Sequence, residues 1–265
     1  MTRWISGVIV AALVLLLLRF VPGFGIQMVV LLFSGLGLSE YFNMTIPHAT
    51  RTIKNIGILT GVLACTSFMF WVQTADHFLL VSSLMLMLTF ILHFRGSSDF
   101  NARIQQMAFF YLGLMYISLL FSYWGKIRAL PDWAFWVFMM LGCTVMADIG
   151  GYVFGHWIGK TKLAPKLSPG KTVEGFLGGV LFALIGGVIV RCIFKPDYPF
   201  TEVVLLSTLL AFVGPIGDLS ESMIKRGAGV KDSGNLMPGH GGLLDRVDAL
   251  LFTAPIVYYF AKYFS

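Results

Sequence analysis

Apolar runs follow one another along this chain from Ile5–Leu18 near its start to Ala249–Phe260 near its end, each long enough, or nearly so, to cross a bilayer. A helix needs about 20 such residues to span the hydrocarbon core. Lipid offers backbone N–H and C=O groups no partners, so a spanning segment must be a helix or part of a closed barrel. The two-residue alternation of barrel strands is absent here. With 57% hydrophobic and only 12% charged residues, a water-soluble globule is excluded, and the fold class is all-α: a polytopic integral membrane protein.

The expected spans are residues 4–21, 25–46, 53–73, 76–94, 104–124, 133–158, 173–194, 199–224 and 246–264, about nine transmembrane helices. An odd number puts the termini on opposite sides. With the N-terminus cytoplasmic, thirteen of the 19 Lys and Arg residues fall inside, as the positive-inside rule prefers. Loops 159–172 and 225–245 then share the cytoplasmic face. Arg3 precedes the first apolar run, but no small-x-small cleavage site follows, so this segment reads as a retained helix rather than a secretory signal. Cys65, Cys143 and Cys192 lie inside apolar runs and give neither a disulfide framework nor a zinc site.

The chain reads as one integral domain, 1–265, in two parts. Residues 1–130 are poor in intramembrane acids apart from Glu40 and suit a helical scaffold and lipid-facing wall. Residues 131–265 carry the chemistry. An intramembrane or boundary charge is costly, so such residues mark the place to look for function. No repeat of the kind found in transporters is evident.

Asp148, Gly151, Gly155 and Gly159 recur on one helical face. The glycines suit a helix-packing seam or close approach of a ligand, while the acid beside them needs a partner or a cation. The following loop holds Lys160, Lys162, Lys166, Ser168 and Lys171, and Thr172 is a good N-cap for the next helix. Lysines ahead of a helix N-terminus make an anion site; the alternatives are topology alone or attraction to anionic lipid headgroups. Two Gly-Lys-Thr triplets are not P-loops, because Phe154 and Pro165 stand where that motif has its first glycine.

Gly214-Pro215 is expected to kink or break its helix. Beyond it, Asp218, Glu221, Ser222 and Lys225 share one face. A Glu221–Lys225 ion pair would explain two of these and leave Asp218 unassigned. Next come Lys231-Asp232, a glycine-flanked His240, and Asp245-Arg246-Val247-Asp248. Glycines around His240 allow backbone N–H groups to form an anion-holding nest. Asp245 and Asp248 present two carboxylates at the start of the last helix. Oxygen ligands without a Cys or His cluster suit Mg²⁺ rather than zinc.

Ser222 through Asp248 reads Ser-x-apolar-Lys-Arg, Lys-Asp, Pro-x-His-Gly-Gly and apolar-x-Asp-Arg-apolar-Asp, and here the chain resembles the phosphatidate cytidylyltransferases, or CDP-diglyceride synthases. The only soft departure is Met237, where Leu, Ile or Phe is expected. Upstream, Ser168-Pro-Gly-Lys171-Thr172-Val-Glu174-Gly175 also looks like that family. The resemblance implies that CTP and phosphatidate give CDP-diacylglycerol and pyrophosphate with a divalent metal. It assigns the chemistry to Asp218, Lys225, His240, Asp245 and Asp248. Mg²⁺ would rest on Asp218 and Asp245, with Glu221, Asp148 or Asp248 nearby, and a second monovalent or divalent cation is left open. Lys166, Ser168, Lys171, Thr172, Ser222, Arg226, Lys231 and Arg246 would bind CTP or the lipid phosphate.

A CTP-dependent lipid kinase would need a base for its hydroxyl substrate and would release CDP. A CDP-alcohol phosphotransferase would need an Asp-Gly-x-x-Ala-Arg run, and an aspartate-rich prenyltransferase paired aspartates; the chain has neither. A transporter would spread its polar residues near the midplane, whereas these gather at one face. The net charge of +6 is largely explained by the inside loops, so a nucleic-acid partner is not expected. The expected partners are CTP, phosphatidate and membrane lipid, the expected home is a bacterial inner membrane, and a homodimer stays open.

Overall fold

A computed structural model describes residues 23–70, 83, 87, 99–236 and 241–264. The expected spans 4–21 and 76–94 lie outside these residues, 76–94 apart from Ser83 and Met87. Helices α1 (Gly23–Thr45), α2 (Arg51–Phe70) and α3 (Phe100–Gly113) come first; α3 continues through a π-helical stretch, Leu114–Leu119, into α4 (Leu120–Arg128). Then follow α5 (Trp133–Trp157), strands β1 (Lys162–Ala164) and β2 (Ser168–Thr172), α6 (Val173–Phe194), α7 (Phe200–Gly227) and α8 (Leu244–Phe264). Among the described residues, six helical stretches are long and apolar enough to cross a membrane: α1, α2, α3 to α4, α5, α6 and α7. The protein is thus helical and membrane-spanning, with one small sheet among the described residues.

That sheet is a departure from the expected loop. Lys162 pairs with Thr172 and Ala164 with Ser168, antiparallel. Strands this short, interrupted by Pro169 and Gly170, carry no alternating pattern that would announce them. The helix carrying Gly214-Pro215 also differs: α7 runs unbroken through Pro215.

Contacts divide the chain into two compact units. The first comprises residues 1–126 and 232–244. Its core is aromatic: Phe42 stacks on Phe110 with ring centroids 4.6 Å apart, and Tyr41 meets Phe42 edge-on at 5.6 Å. Glycine makes room for these side chains. A Cβ on Gly57 would collide with the Phe42 and Phe110 rings, and one on Gly61 with Leu38 and Ser118.

The second unit comprises residues 127–231 and 245–265. Here α5 and α6 meet along a glycine seam in which backbone lies on backbone. A Cβ on Gly186 would stand 2.7 Å from the Gly142 carbonyl oxygen, and one on Gly175 2.7 Å from that of Gly151. The packing reading of Gly151 and Gly155 is therefore realised, since both lie against Gly175. At the other end of α5, Phe135, Trp136 and Tyr198 cluster, with the Trp136 and Tyr198 rings 5.6 Å apart at right angles. Lys195 pairs there with Asp132 at 2.7 Å.

Candidate functional site

Thr172 accepts the Gly175 N–H at 3.1 Å, so it is the N-cap of α6 that the sequence suggests. The cap starts α6 straight from the end of β2 and so fixes where Lys171 projects. Glu174, in the first turn, accepts the N–H groups of Lys160 and Thr161, each at 3.1 Å. Val173 N–H adds a bond to the Thr161 carbonyl at 2.9 Å. These bonds clasp the hairpin to the helix start. Sequence reasoning quoted Glu174 only within the Ser168–Gly175 pattern and gave it no role; a further signal was an acid in the first turn of a helix behind a lysine-rich loop.

Between the hairpin and the helices of the second unit lies a cavity of about 200 Å³, lined among others by Asp148, Gly151, Tyr152, Lys171, Thr172 and Asp218. Lys171 Nζ sits 2.5 Å from Asp218 Oδ2. Ser222 Oγ donates to Asp218 Oδ1 at 3.4 Å, one turn further along α7. Asp148 feels the charges of both Asp218 and Lys171. Asp248 feels those of Asp218, Lys225 and Asp148. The reason lies in the backbone: α7 and α8 cross so closely that a Cβ on Gly217 would stand 2.6 Å from the Asp248 carbonyl oxygen. Gly217 thereby lets its neighbour Asp218 and Asp248 share one region.

A second cluster is centred on Lys225, whose Nζ lies 2.6 Å from Glu221 Oε2 and 2.6 Å from Asp245 Oδ1. The pair expected from i, i+4 spacing forms, and Asp245 joins it from α8. Glu221 is only 1% exposed, and its Oε1 has no hydrogen-bond partner among the described residues. A buried carboxylate oxygen in that position is costly unless positive charge or a donor reaches it. Among the described residues, no three His, Cys, Asp or Glu side chains gather into a group able to hold a metal as they stand.

The remaining candidates are more dispersed. Ser168 opens β2, and Lys166 is exposed between the strands. Arg226 donates to the Val230 carbonyl at 3.4 Å, closing the end of α7. Lys231 and Arg246 are exposed. His240 lies outside the described residues. The structure therefore brings together Asp148, Lys171, Asp218, Ser222 and Asp248, with Glu221, Lys225 and Asp245 as their neighbours through Asp248. Acids and lysines held this closely can bind cations and phosphate groups side by side.

A model of the cytidylyltransferase family matches residues 1–264. The phosphatidate cytidylyltransferase of Synechocystis sp. is 36% identical over 287 residues, covering 97% of this chain and 95% of its own length. That of Bacillus subtilis is 37% identical over 185 residues, covering 69% and 67% respectively. That of Staphylococcus haemolyticus is 31% identical over 255 residues and 94% of each chain.

Proposed function

This chain belongs to the cytidylyltransferase family, and on that premise we propose that it joins CTP to phosphatidate, giving CDP-diacylglycerol and pyrophosphate. The observation that carries the reading is the cavity where Lys171, Asp218 and Asp148 meet, set among helices apolar enough to lie in a bilayer. A phosphate oxygen of phosphatidate attacks the α-phosphorus of CTP. The bond from that phosphorus to the α,β-bridging oxygen breaks, and pyrophosphate leaves with the electron pair. The attacking oxygen is already anionic, so no side chain has to remove a proton. The difficulty is bringing two anions together in line, which is a matter of positioning and charge.

Lys171 and Lys225 are the cations best placed for that work. Each is held by acids of the site, so each arrives at the phosphates already oriented. Arg226, Lys231, Arg246, His240, Lys166 and Ser168 complete the phosphate-binding set proposed for the two substrates. One observation fits a divalent cation: Glu221 Oε1 is a buried acceptor without a donor among the described residues. Asp218 and Asp245 would hold Mg²⁺, with Asp248, Glu221 or Asp148 as further ligands or neighbours. When bound, the ion would screen the repulsion between the two phosphates. The chemistry would occur at the cytoplasmic face of a bacterial inner membrane, with the N-terminus also cytoplasmic, about nine spans, and acyl chains remaining in lipid.

Purified protein in lipid–detergent micelles with α-³²P-labelled CTP, phosphatidate and Mg²⁺ tests this directly. Label passing into the lipid phase with release of pyrophosphate is the expected result. Label left in water with every lipid phosphate supplied overturns the reading.

A further inference from the structure

Charged side chains outside the site divide into those that the protein answers itself and those that it does not. Glu40, inside the apolar helix α1, is answered. Its Oε1 accepts the Leu243 N–H at 2.8 Å; Oε2 accepts the Leu244 N–H at 3.0 Å and the Ser233 hydroxyl at 3.2 Å, a clasp closed within the first unit. The lysines of the hairpin differ. Lys160, Lys162 and Lys166 are all exposed. Among the described residues, ion pairs engage Lys171, Lys195 and Lys225 but none of these three.

Their surroundings suit a bilayer boundary rather than water. Helices α5 and α6 are both apolar enough to cross a membrane, and the hairpin joins the end of one to the start of the other. The end of α5 leaves large side chains uncovered: Tyr152 is 75% exposed and Trp157 78%. Tryptophan and tyrosine favour the headgroup level, where the ring meets apolar carbon and the polar edge meets water. Beside them Phe154, Ile158, Leu177, Gly178 and Leu181 line a groove of about 310 Å³. A Cβ on Gly178 would strike the Phe154 ring, so glycine is what lets the two helices shape this groove. Leu177 and Leu181 begin an exposed row that Ile185 and Ile189 continue at four-residue steps along α6. Glu174 is the charged residue of the lining, and its carboxylate accepts the N–H groups of Lys160 and Thr161. The groove and the start of the lysine-bearing hairpin are thereby fixed to each other.

We propose that this surface is a binding site for an anionic phospholipid of the surrounding leaflet, separate from the cavity: one acyl chain lies in the groove and along the α6 row, and the phosphate rests on Lys160 and Lys162. Charge complementarity selects the occupant. Three lysines stand against one carboxylate, itself offset by two N–H groups, and basic clusters at a span's end attract anionic headgroups. The groove selects a lipid over a soluble anion, because a free phosphate or a nucleotide has no chain to fill it. Lys171, by contrast, lines the cavity and pairs with Asp218, so the hairpin divides its lysines between two tasks. This site stands on its own geometry and needs no turnover.

Native mass spectrometry of the full-length protein in detergent decides it. Phosphatidylglycerol and phosphatidylcholine with the same acyl chains are titrated in separately. The wild type should bind phosphatidylglycerol more tightly. Lys160→Gln combined with Lys162→Gln, both at exposed positions, is expected to weaken that binding about tenfold or more and leave phosphatidylcholine binding unchanged. Leu181→Trp, which fills the groove, should weaken both lipids; Leu177→Trp carries the same test if Leu181→Trp fails to elute as folded protein. Equal phosphatidylglycerol binding by wild type and the double lysine variant overturns the headgroup site. Lipid binding untouched by the tryptophan variants overturns the groove. Inorganic phosphate or CTP displacing phosphatidylglycerol as well as a second anionic lipid does would make this a plain anion site and overturn the lipid assignment.

Discussion

The second unit packs its helices by a means that the first lacks among the described residues. In the first, glycines are sockets for side chains: Phe42 and Phe110 over Gly57, Leu38 over Gly61, Met69 over Gly125. In the second, some glycines also face side chains, Phe154 over Gly178 and Ser207 over Gly187, but others bring main chain against main chain, Gly186 on Gly142 and Gly175 on Gly151. Their acids differ in the same sense. Glu40 is answered by neutral N–H and O–H donors. Asp218, Glu221 and Asp245 are answered by lysines; Asp148 lines the same cavity as Lys171 and Asp218, and the Asp248 backbone lies against Gly217. Side-chain sockets tolerate adjustment, whereas a backbone seam fixes helix positions closely. Charges met by neutral donors build structure, while charges met by ammonium groups can be exchanged for a substrate's.

The largest effect should come from the acids of the second unit. Asp218→Asn and Asp245→Asn are each expected to lower kcat by about 10²–10³-fold or more, as removing a group that stabilises developing charge does. Both should still elute as folded protein; near-normal initial rates would remove that residue from the chemistry. Next is Lys171→Ala, expected to raise KM for CTP or for phosphatidate about tenfold, the worth of a charge-assisted bond. Unchanged constants for both substrates would return this lysine to a topological role.

The packing contrast is tested by stability. Gly186→Ala, which presses a methyl group toward a carbonyl oxygen, should cost about 1–3 kcal/mol and lower the melting temperature in detergent. Gly125→Ala should cost less than about 1 kcal/mol, because the Met69 thioether it meets is flexible and alanine favours the helix. Equal losses would erase the distinction. The smallest effect belongs to Glu174→Gln, which loosens the hairpin clasp. Faster amide exchange at Lys160 and Thr161, with turnover reduced only about twofold, is expected for weakened exposed bonds.

Features that depend on neighbours along one helix were legible in the sequence. The span boundaries 133–158 and 173–194, the Thr172 cap and the Glu221–Lys225 pair all follow from periodicity or i, i+4 spacing. Features that join distant helices were not. Nothing local to Lys171 says that it meets Asp218, nor does anything local to Lys225 point to Asp245. Glu40 stood out only as an isolated acid in a scaffold, because its donors are backbone amides, which every residue possesses and no residue type reveals. The π-helical stretch at Leu114–Leu119 was equally silent, since its residues are as apolar as their helical neighbours.

The clasp on Glu40 also sets an order on biogenesis. Ser233 is made 193 residues after Glu40, which at ordinary rates of synthesis is an interval of about 10–40 s. Throughout that time α1 is in the translocon or the bilayer with a carboxylate whose eventual donors do not yet exist. It stands five residues before the helix end at Thr45, a position from which a long side chain can reach toward water. The first unit is therefore begun first and completed almost last, and a nascent chain stalled anywhere before the Asp232–Leu244 segment leaves this acid without those donors.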